Sequence, residues 1–109
     1  YLYMKKTTLI VLFNLKPGVS EAEYEQFAQE TDVPTVERLH SVNYFRVFRS
    51  SRLLGSEAAP PFRYVEVIEV NDLDGLFGHL GSETMQRVAA QFQDFADNPI
   101  FMLSDKFAG

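Results

Sequence analysis

The chain has 109 residues, 46% of them hydrophobic, and its 15 acidic side chains outnumber its 10 basic ones to give a formal net charge of -5. A chain of this length forms a single domain, here residues 1–109, and buries only about two-thirds of its unfolded surface, so a partner subunit would help it. The excess of acidic side chains argues against binding to nucleic acids or anionic membranes, because both partners require basic surface patches. Residues 1–6 are expected to be irregular.

The chain contains no cysteine and two histidines. This composition argues against a disulfide framework, a thiol nucleophile and a zinc site. We predict no metal and no cofactor. The longest apolar run, LIVLF, is too short to span a bilayer, and no signal-peptide pattern is present, so the sequence predicts a cytoplasmic protein.

The first half of the chain predicts a strand followed by a helix that bends. Residues 7–15, TTLIVLFNL, are nearly continuous β-branched and apolar sequence, which is typical of a strand covered on both faces. Ser20 is placed to cap the next helix, and Glu23 lies where a capping box needs an acidic residue. Pro34 cannot continue that helix but suits the first turn of a new one, which predicts a short segment over residues 33–39.

The second half predicts three strands and a long helix. Residues 42–50 and 62–70 are rich in Val, Tyr and Phe and form the second and third strands. A helix capped by Asp72 follows, and Ser82 restarts it after a glycine. Residues 99–107 form the last strand, with its proline at the first position, where no ladder donor is needed.

The element order is therefore β-α-β-β-α-β, which predicts an α+β, ferredoxin-like fold with a four-stranded antiparallel sheet. Two helices cover only one face of such a sheet. Because all four strands carry apolar residues at both parities, a second layer is needed on the other face. We predict a homodimer in which two sheets pack together as a shared barrel, a dimeric α/β barrel.

The aromatic second strand carries an arginine that needs a partner. A symmetrical hairpin between the second and third strands places Arg46 opposite Glu66 and puts Tyr44 and Tyr64 on the same face. Two interpretations stay open for Arg46 and Glu66: a ligand anchor with the carboxylate that orients it, or a structural ion pair. The tyrosines are either core residues or polar groups of a ligand pocket.

Two further residues flank the bend before the second strand. His40 is a candidate for proton transfer, because histidine side chains commonly serve as general acids and bases, and Glu66 is a second candidate. The alternative for His40 is a histidine in a surface loop. Asp32 is either a helix cap or a polar group at the mouth of a pocket. The candidate ligand-binding set is therefore Tyr44, Arg46, Tyr64 and Asp32.

Long stretches of the chain resemble a known family. The segments VLFNLKPGVS, RYVEVIEVNDLD and MQRVAAQFQDFADNPIF are similar to those of the REDY-like family, whose HapK-type members are associated with prodiginine pigment biosynthesis. The likeness covers residues 9–103 and implies the dimeric α/β barrel. It also implies a cofactor-free role in secondary metabolism.

Three functions stay open at this point. In the first, the protein binds an apolar or aromatic metabolite and assists a condensation, cyclisation or oxidation. In the second, it is a carrier or sensor that uses the same pocket without catalysis. In the third, it is an interaction protein whose interior is filled by its own side chains.

Overall fold

The computed structural model describes residues 6–109, so most of the segment predicted to be irregular lies outside the described residues. The elements follow the predicted order, with the first helix continuing through a π-helical turn into a second short helix. In chain order they are β1 (Thr7–Leu15), α1 (Glu21–Phe27), the π-turn (Ala28–Asp32), α2 (Val33–Glu37), β2 (Val42–Arg49), β3 (Tyr64–Val70), α3 (Leu73–Leu80), α4 (Glu83–Phe95) and β4 (Ala96–Ser104).

The four strands form one antiparallel sheet in the order β2-β3-β1-β4. This connectivity is that of a ferredoxin-like fold, and the predicted α+β class is confirmed. Among residues 6–109, none of the helices combines the length and the apolar character that crossing a bilayer requires.

The helix starts are set by the side chains that the sequence predicted. The hydroxyl of Ser20 accepts a hydrogen bond from the Glu23 amide at 3.2 Å. The carboxylate of Asp72 accepts one from the Gly75 amide at 3.0 Å, and Ser82 caps α4 in the same way. Each cap satisfies an amide that has no partner within its own helix.

Pro34 explains the π-turn before α2. Proline has no amide hydrogen and cannot donate to the carbonyl four residues earlier. The preceding amide, that of Val33, instead donates to the carbonyl of Ala28, five residues back. The helix thus continues through the predicted bend in a wider turn, and Asp32 is the last residue of that turn.

The last strand begins earlier than predicted. We placed Pro99 at its first position, but β4 starts at Ala96 and Pro99 lies within it. Residues 98 and 99 face Phe13 at a break in the pairing register with β1, and Asn98 has a φ of 46°. A bulge on an edge strand accommodates a proline because no ladder hydrogen bond is required there.

All helices pack on the same face of the sheet, which we call the helix face. On β3 the buried residues alternate, and Glu66 and Ile68 point toward the helices. The main aromatic cluster forms around Phe13, whose ring contacts those of Tyr24, Tyr64 and Phe92 at centroid distances of 5.0–5.5 Å.

The opposite side of the sheet, which we call the bare face, is apolar at its centre. Phe48, Ile100 and Met102 on this face expose 53%, 44% and 39% of their surface. In the pairing register they share it with four half-buried side chains of the central strands: Ile10, Leu12, Val65 and Val67. The predicted excess of apolar residues on both faces of the sheet is therefore present.

The predicted pairing between β2 and β3 is wrong by one residue. Arg46 lies opposite Val67, and Glu66 lies opposite Val47. Because side chains alternate along a strand, this shift moves Glu66 and Tyr64 to the helix face and leaves Arg46 and Tyr44 on the bare face. The pairing between β2 and β3 shifts by one residue between Val42 and Tyr44. The symmetrical hairpin assumed from the sequence contains no such shift.

Candidate functional site

An apolar cavity of about 200 Å³ lies between the helix face of the sheet and the helices, and it is partly open to the surface. Residues of all four strands line it on one side, and residues of the π-turn, α2, α3 and α4 line it on the other. The cavity walls are mainly aliphatic and aromatic, and they include Phe45, Ile68, Leu76, Met85, Val88 and Phe92. We call this space the inner cavity.

Two carboxyl groups, Asp32 and Glu66, line the inner cavity. Glu66 reaches it from the centre of β3, and Asp32 reaches it from the π-turn. The two residues expose only 5% and 4% of their surface. The π-turn changes the direction in which the following residues point, and such turns are common at functional sites.

One of the carboxyls has a hydrogen-bond donor. The hydroxyl of Tyr24, a fully buried residue of α1, donates to Oε2 of Glu66 at 3.2 Å. Among residues 6–109 no side chain forms a hydrogen bond with the Asp32 carboxyl. The hydrogen-bonding capacity of Asp32 is therefore free for a bound molecule.

Burial raises the pKa of both carboxyls. It raises the pKa of Glu66 to about 8, with a further contribution from the nearby Asp32 charge, while the Tyr24 hydrogen bond opposes the change. Burial alone raises the pKa of Asp32 to about 7. Burial and the adjacent carboxylates also raise the pKa of Tyr24, so its hydroxyl stays protonated.

This arrangement suits proton transfer inside an apolar space. A carboxyl group that holds its proton near neutral pH can donate a hydrogen bond or a proton to a bound molecule. A neighbouring carboxyl that titrates in the same range can accept one. Two such groups with raised pKa values in one cavity are a recognised sign of a functional site.

A second, larger space lies beside the first. This groove of about 540 Å³ runs along α1 and β2, and Phe45 lines both it and the inner cavity. Three of its polar side chains are paired with one another: the Tyr64 hydroxyl donates to Glu25 at 2.8 Å, and Arg49 forms a salt bridge with the same carboxylate. Because these partners satisfy one another, we place the candidate site in the inner cavity despite its smaller volume.

The candidate residues from the sequence are divided between the two faces. Asp32 and Glu66 meet in the inner cavity, whereas Tyr64 lies in the groove. Tyr44 and Arg46 lie together on the bare face, with the guanidinium carbon 3.9 Å from the centre of the tyrosine ring. The predicted pairing of Arg46 with Glu66 is wrong, because the two side chains are on opposite sides of the sheet.

His40 lies away from both spaces. It is exposed in the turn between α2 and β2. His79 is half-buried, with its Nδ1 3.0 Å from the hydroxyl of Ser41. In the part of the chain that the structure describes, no group of three or more His, Asp or Glu side chains is arranged to hold a metal ion.

Tyr24 is the residue of the candidate site that sequence reasoning missed. Its position on the apolar stripe of α1 indicated a core residue, which it is. The missed signal was its hydroxyl, since a buried tyrosine hydroxyl needs a hydrogen-bond partner. A buried glutamate needs one too, so the two residues were candidates for each other.

Comparisons with known proteins give a consistent result. The family model of REDY-like protein HapK matches residues 7–107. The crystal structure of HapK from Hahella chejuensis superposes with a TM-score of 0.71 at 25% identity, covering 94% of this chain and 98% of that one. No curated protein matches the chain.

More distant structures share the fold. SnoaB, a cofactor-independent oxygenase from Streptomyces nogalater, has a TM-score of 0.76 at 14% identity, with 95% of each chain covered. A dimeric ferredoxin-like protein of unknown function from Thermobifida fusca has a TM-score of 0.70 at 15% identity, with 94% of each chain covered. At these identities the likeness shows the fold alone.

Proposed function

The chain belongs to the family of REDY-like HapK proteins, and on that premise we propose that it binds an apolar or aromatic metabolite in the inner cavity and assists a proton-transfer step there without a cofactor. The step is part of a condensation, cyclisation or oxidation in secondary metabolism, of the prodiginine type by family resemblance. The cytoplasm is the proposed location.

One observation carries this proposal: two carboxyls, Asp32 and Glu66, are buried in a cavity with apolar walls. Burying a carboxyl without full hydrogen bonding costs about 1–3 kcal/mol in proteins. An apolar side chain of similar size would fill the same space at no such cost. A function in the cavity gives a reason for keeping both.

The proposed mechanism combines positioning with proton transfer. The apolar walls exclude water and hold the ring of the ligand. Asp32 accepts a proton from the ligand, and Glu66, held by Tyr24, supplies one to its developing oxygen or nitrogen anion. The description of SnoaB as a cofactor-independent oxygenase supports chemistry of this kind on this fold.

A carrier or sensor is the second candidate. The described residues of the inner cavity include only three polar side chains, Asp32, Glu66 and Gln93, among many apolar ones. A lining of this kind also suits binding alone. The interaction protein is less favoured, because the interior leaves about 200 Å³ unfilled.

The active form is proposed to be a homodimer joined through the bare face. That face exposes Phe48, Ile100 and Met102 around a half-buried aliphatic centre. Exposed apolar patches of this kind mark contact surfaces. The Thermobifida fusca protein, described as dimeric, supports a second copy of the chain as the partner.

Proton exchange tests the catalytic proposal. With 2-tetralone as a bicyclic ketone probe in D₂O, NMR follows the loss of the hydrogens next to the carbonyl. An enzyme accelerates this exchange, and Asp32→Asn and Glu66→Gln each slow it by about 100-fold or more, the usual effect of losing a general acid or base. The matched control is Glu69→Gln, which changes a glutamate of the same strand on the bare face.

The result separates the candidates. Binding of 2-tetralone without accelerated exchange identifies a carrier. Absence of both binding and exchange, together with absence of any co-purifying small molecule in native mass spectrometry, contradicts the ligand-binding proposal as a whole.

A further inference from the structure

The size of the inner cavity limits the ligand, given the proposed function. Its volume is about 200 Å³. An apolar cavity of about 150 Å³ in another protein holds a benzene molecule. The inner cavity therefore accommodates one ring with substituents or two small fused rings. A larger ring system would exceed this volume and extend out of the cavity at its open side.

The charges of the inner cavity limit the ligand further. Asp32 and Glu66 are the ionisable side chains among its described lining residues, and none of these residues is basic. The nearest arginine of the adjoining groove, Arg49, is paired with Glu25. An anionic ligand would lose its hydration without gaining a cation, and it would also meet the charge of any ionised carboxyl.

The hydrogen-bonding groups indicate what the ligand presents. Tyr24 donates to Glu66 and fixes one of its oxygens, which leaves the other oxygen of that carboxyl available. A protonated carboxyl is a donor, and a carbonyl oxygen is its simplest acceptor. Aliphatic side chains such as Ile68 and Val88 line the rest of the space and suit a ring.

We infer that the ligand of the inner cavity is an uncharged molecule of one or two rings whose carbonyl-type oxygen accepts a hydrogen bond from Glu66 or Asp32, and that the carboxyl pair excludes the corresponding carboxylate. This inference rests on the proposed function and names the class of ligand that it requires.

A matched pair of probes tests the inference. 2-Acetylnaphthalene and 2-naphthoate have the same ring system, and only the second is charged near neutral pH. Calorimetric titration of the wild-type protein is expected to give a dissociation constant at least about tenfold lower for the ketone, a difference of about 1.4 kcal/mol. Methyl NMR shifts locate the probe, since Ile68 and Val88 line the inner cavity while Ile10 lies on the bare face.

Two variants identify the cause of the discrimination. In the double variant Asp32→Asn with Glu66→Gln, the ratio of the two dissociation constants is expected to narrow by about fivefold, or about 1 kcal/mol. Glu69→Gln, which changes charge on the bare face, leaves the ratio unchanged.

The possible failures are distinct. If 2-naphthoate binds as tightly as the ketone, or if the double variant keeps the full ratio, the inference is wrong while a binding cavity stands. If acetophenone, 2-acetylnaphthalene and 2-naphthoate all leave the Ile68 and Val88 methyl signals unchanged, the proposed function fails and the inference fails with it.

Discussion

At the scale of single residues, the proposed function depends on Glu66 and Asp32. Both carboxyls lie in the protein interior, and burial raises the pKa of Glu66 to about 8 and that of Asp32 to about 7. A raised folded-state pKa means that the folded protein holds protons that the unfolded chain releases. The stability from these groups is thus complete below the ordinary carboxyl pKa of about 4 and is lost as the pH rises toward 7 to 8.

Replacing Glu66 tests this linkage. In Glu66→Gln the side chain no longer ionises. The free energy of unfolding of the variant should therefore increase relative to that of the wild type as the pH rises. Between about pH 5 and about pH 9, urea denaturation is expected to show that the difference in free energy of unfolding between variant and wild type changes by about 4 kcal/mol. A difference that is constant with pH would show that Glu66 is not titrating in this range.

Tyr24 provides a second test at this scale. Its hydroxyl stabilises the ionised form of Glu66, so Tyr24→Phe should raise the pKa of Glu66 further, favouring the protonated form by about 1 kcal/mol. Carboxyl ¹³C NMR titration measures this pKa. The matched control is Tyr64→Phe, which removes a hydrogen bond to Glu25 instead and is expected to leave Glu66 unchanged. Equal effects of the two variants would contradict the assignment.

The sequence predicted the cost of burying Glu66 but not its partner. Arg46 was the obvious cation in the neighbouring strand, and a one-residue irregularity between Val42 and Tyr44 placed it on the other face. Asp32, which the sequence offered as a polar group at the mouth of a pocket or as a helix cap, lines the inner cavity. The direction of the Asp32 side chain depends on the π-turn, and a proline in the sequence predicts a bend without specifying that kind of turn.

At the scale of elements, the strands were predictable because their residues are almost continuously β-branched or aromatic. β1 begins and ends where predicted, at Thr7 and Leu15. The caps at Ser20, Asp72 and Ser82 were also predictable, because capping depends on local sequence. The start of β4 was not, since the bulge at Pro99 exists only through pairing with β1.

Asn98 tests the bulge in β4. Its φ of 46° lies in the left-handed region, which strains residues with a side chain other than Asn, Asp or Gly. Asn98→Ala is expected to lower the free energy of unfolding by about 1 kcal/mol, whereas Asn98→Gly should change it by less than about 0.5 kcal/mol. Thermal and urea unfolding measure both. Equal stabilities of the two variants would show that the positive φ has no energetic role.

At the scale of the whole molecule, the two faces of the sheet have different roles. The helix face holds the inner cavity, and the bare face exposes apolar side chains that suit a second copy of the chain. Apolar residues at both odd- and even-numbered positions of the strands predicted that both faces of the sheet need a covering layer. This prediction did not require the pairing register of the strands.

Two exposed phenylalanines make a matched test of the proposed dimer. Phe48 on the bare face and Phe77 on α3 expose 53% and 56% of their surface. Phe48→Asp should separate the dimer into monomers, because a buried unpaired charge costs several kcal/mol in an interface. Phe77→Asp should leave the dimer intact. Sedimentation velocity distinguishes these results, and a wild-type protein that sediments as a monomer at micromolar concentration would contradict the proposed assembly.

The most direct test of the central claim is a crystal structure of the protein grown with 2-acetylnaphthalene. We predict electron density for the rings between Ile68 and Val88, with the ketone oxygen within hydrogen-bonding distance of Glu66 or Asp32. Density for the probe beside Tyr44 and Arg46 on the bare face, with the inner cavity empty, would contradict the assignment of the site.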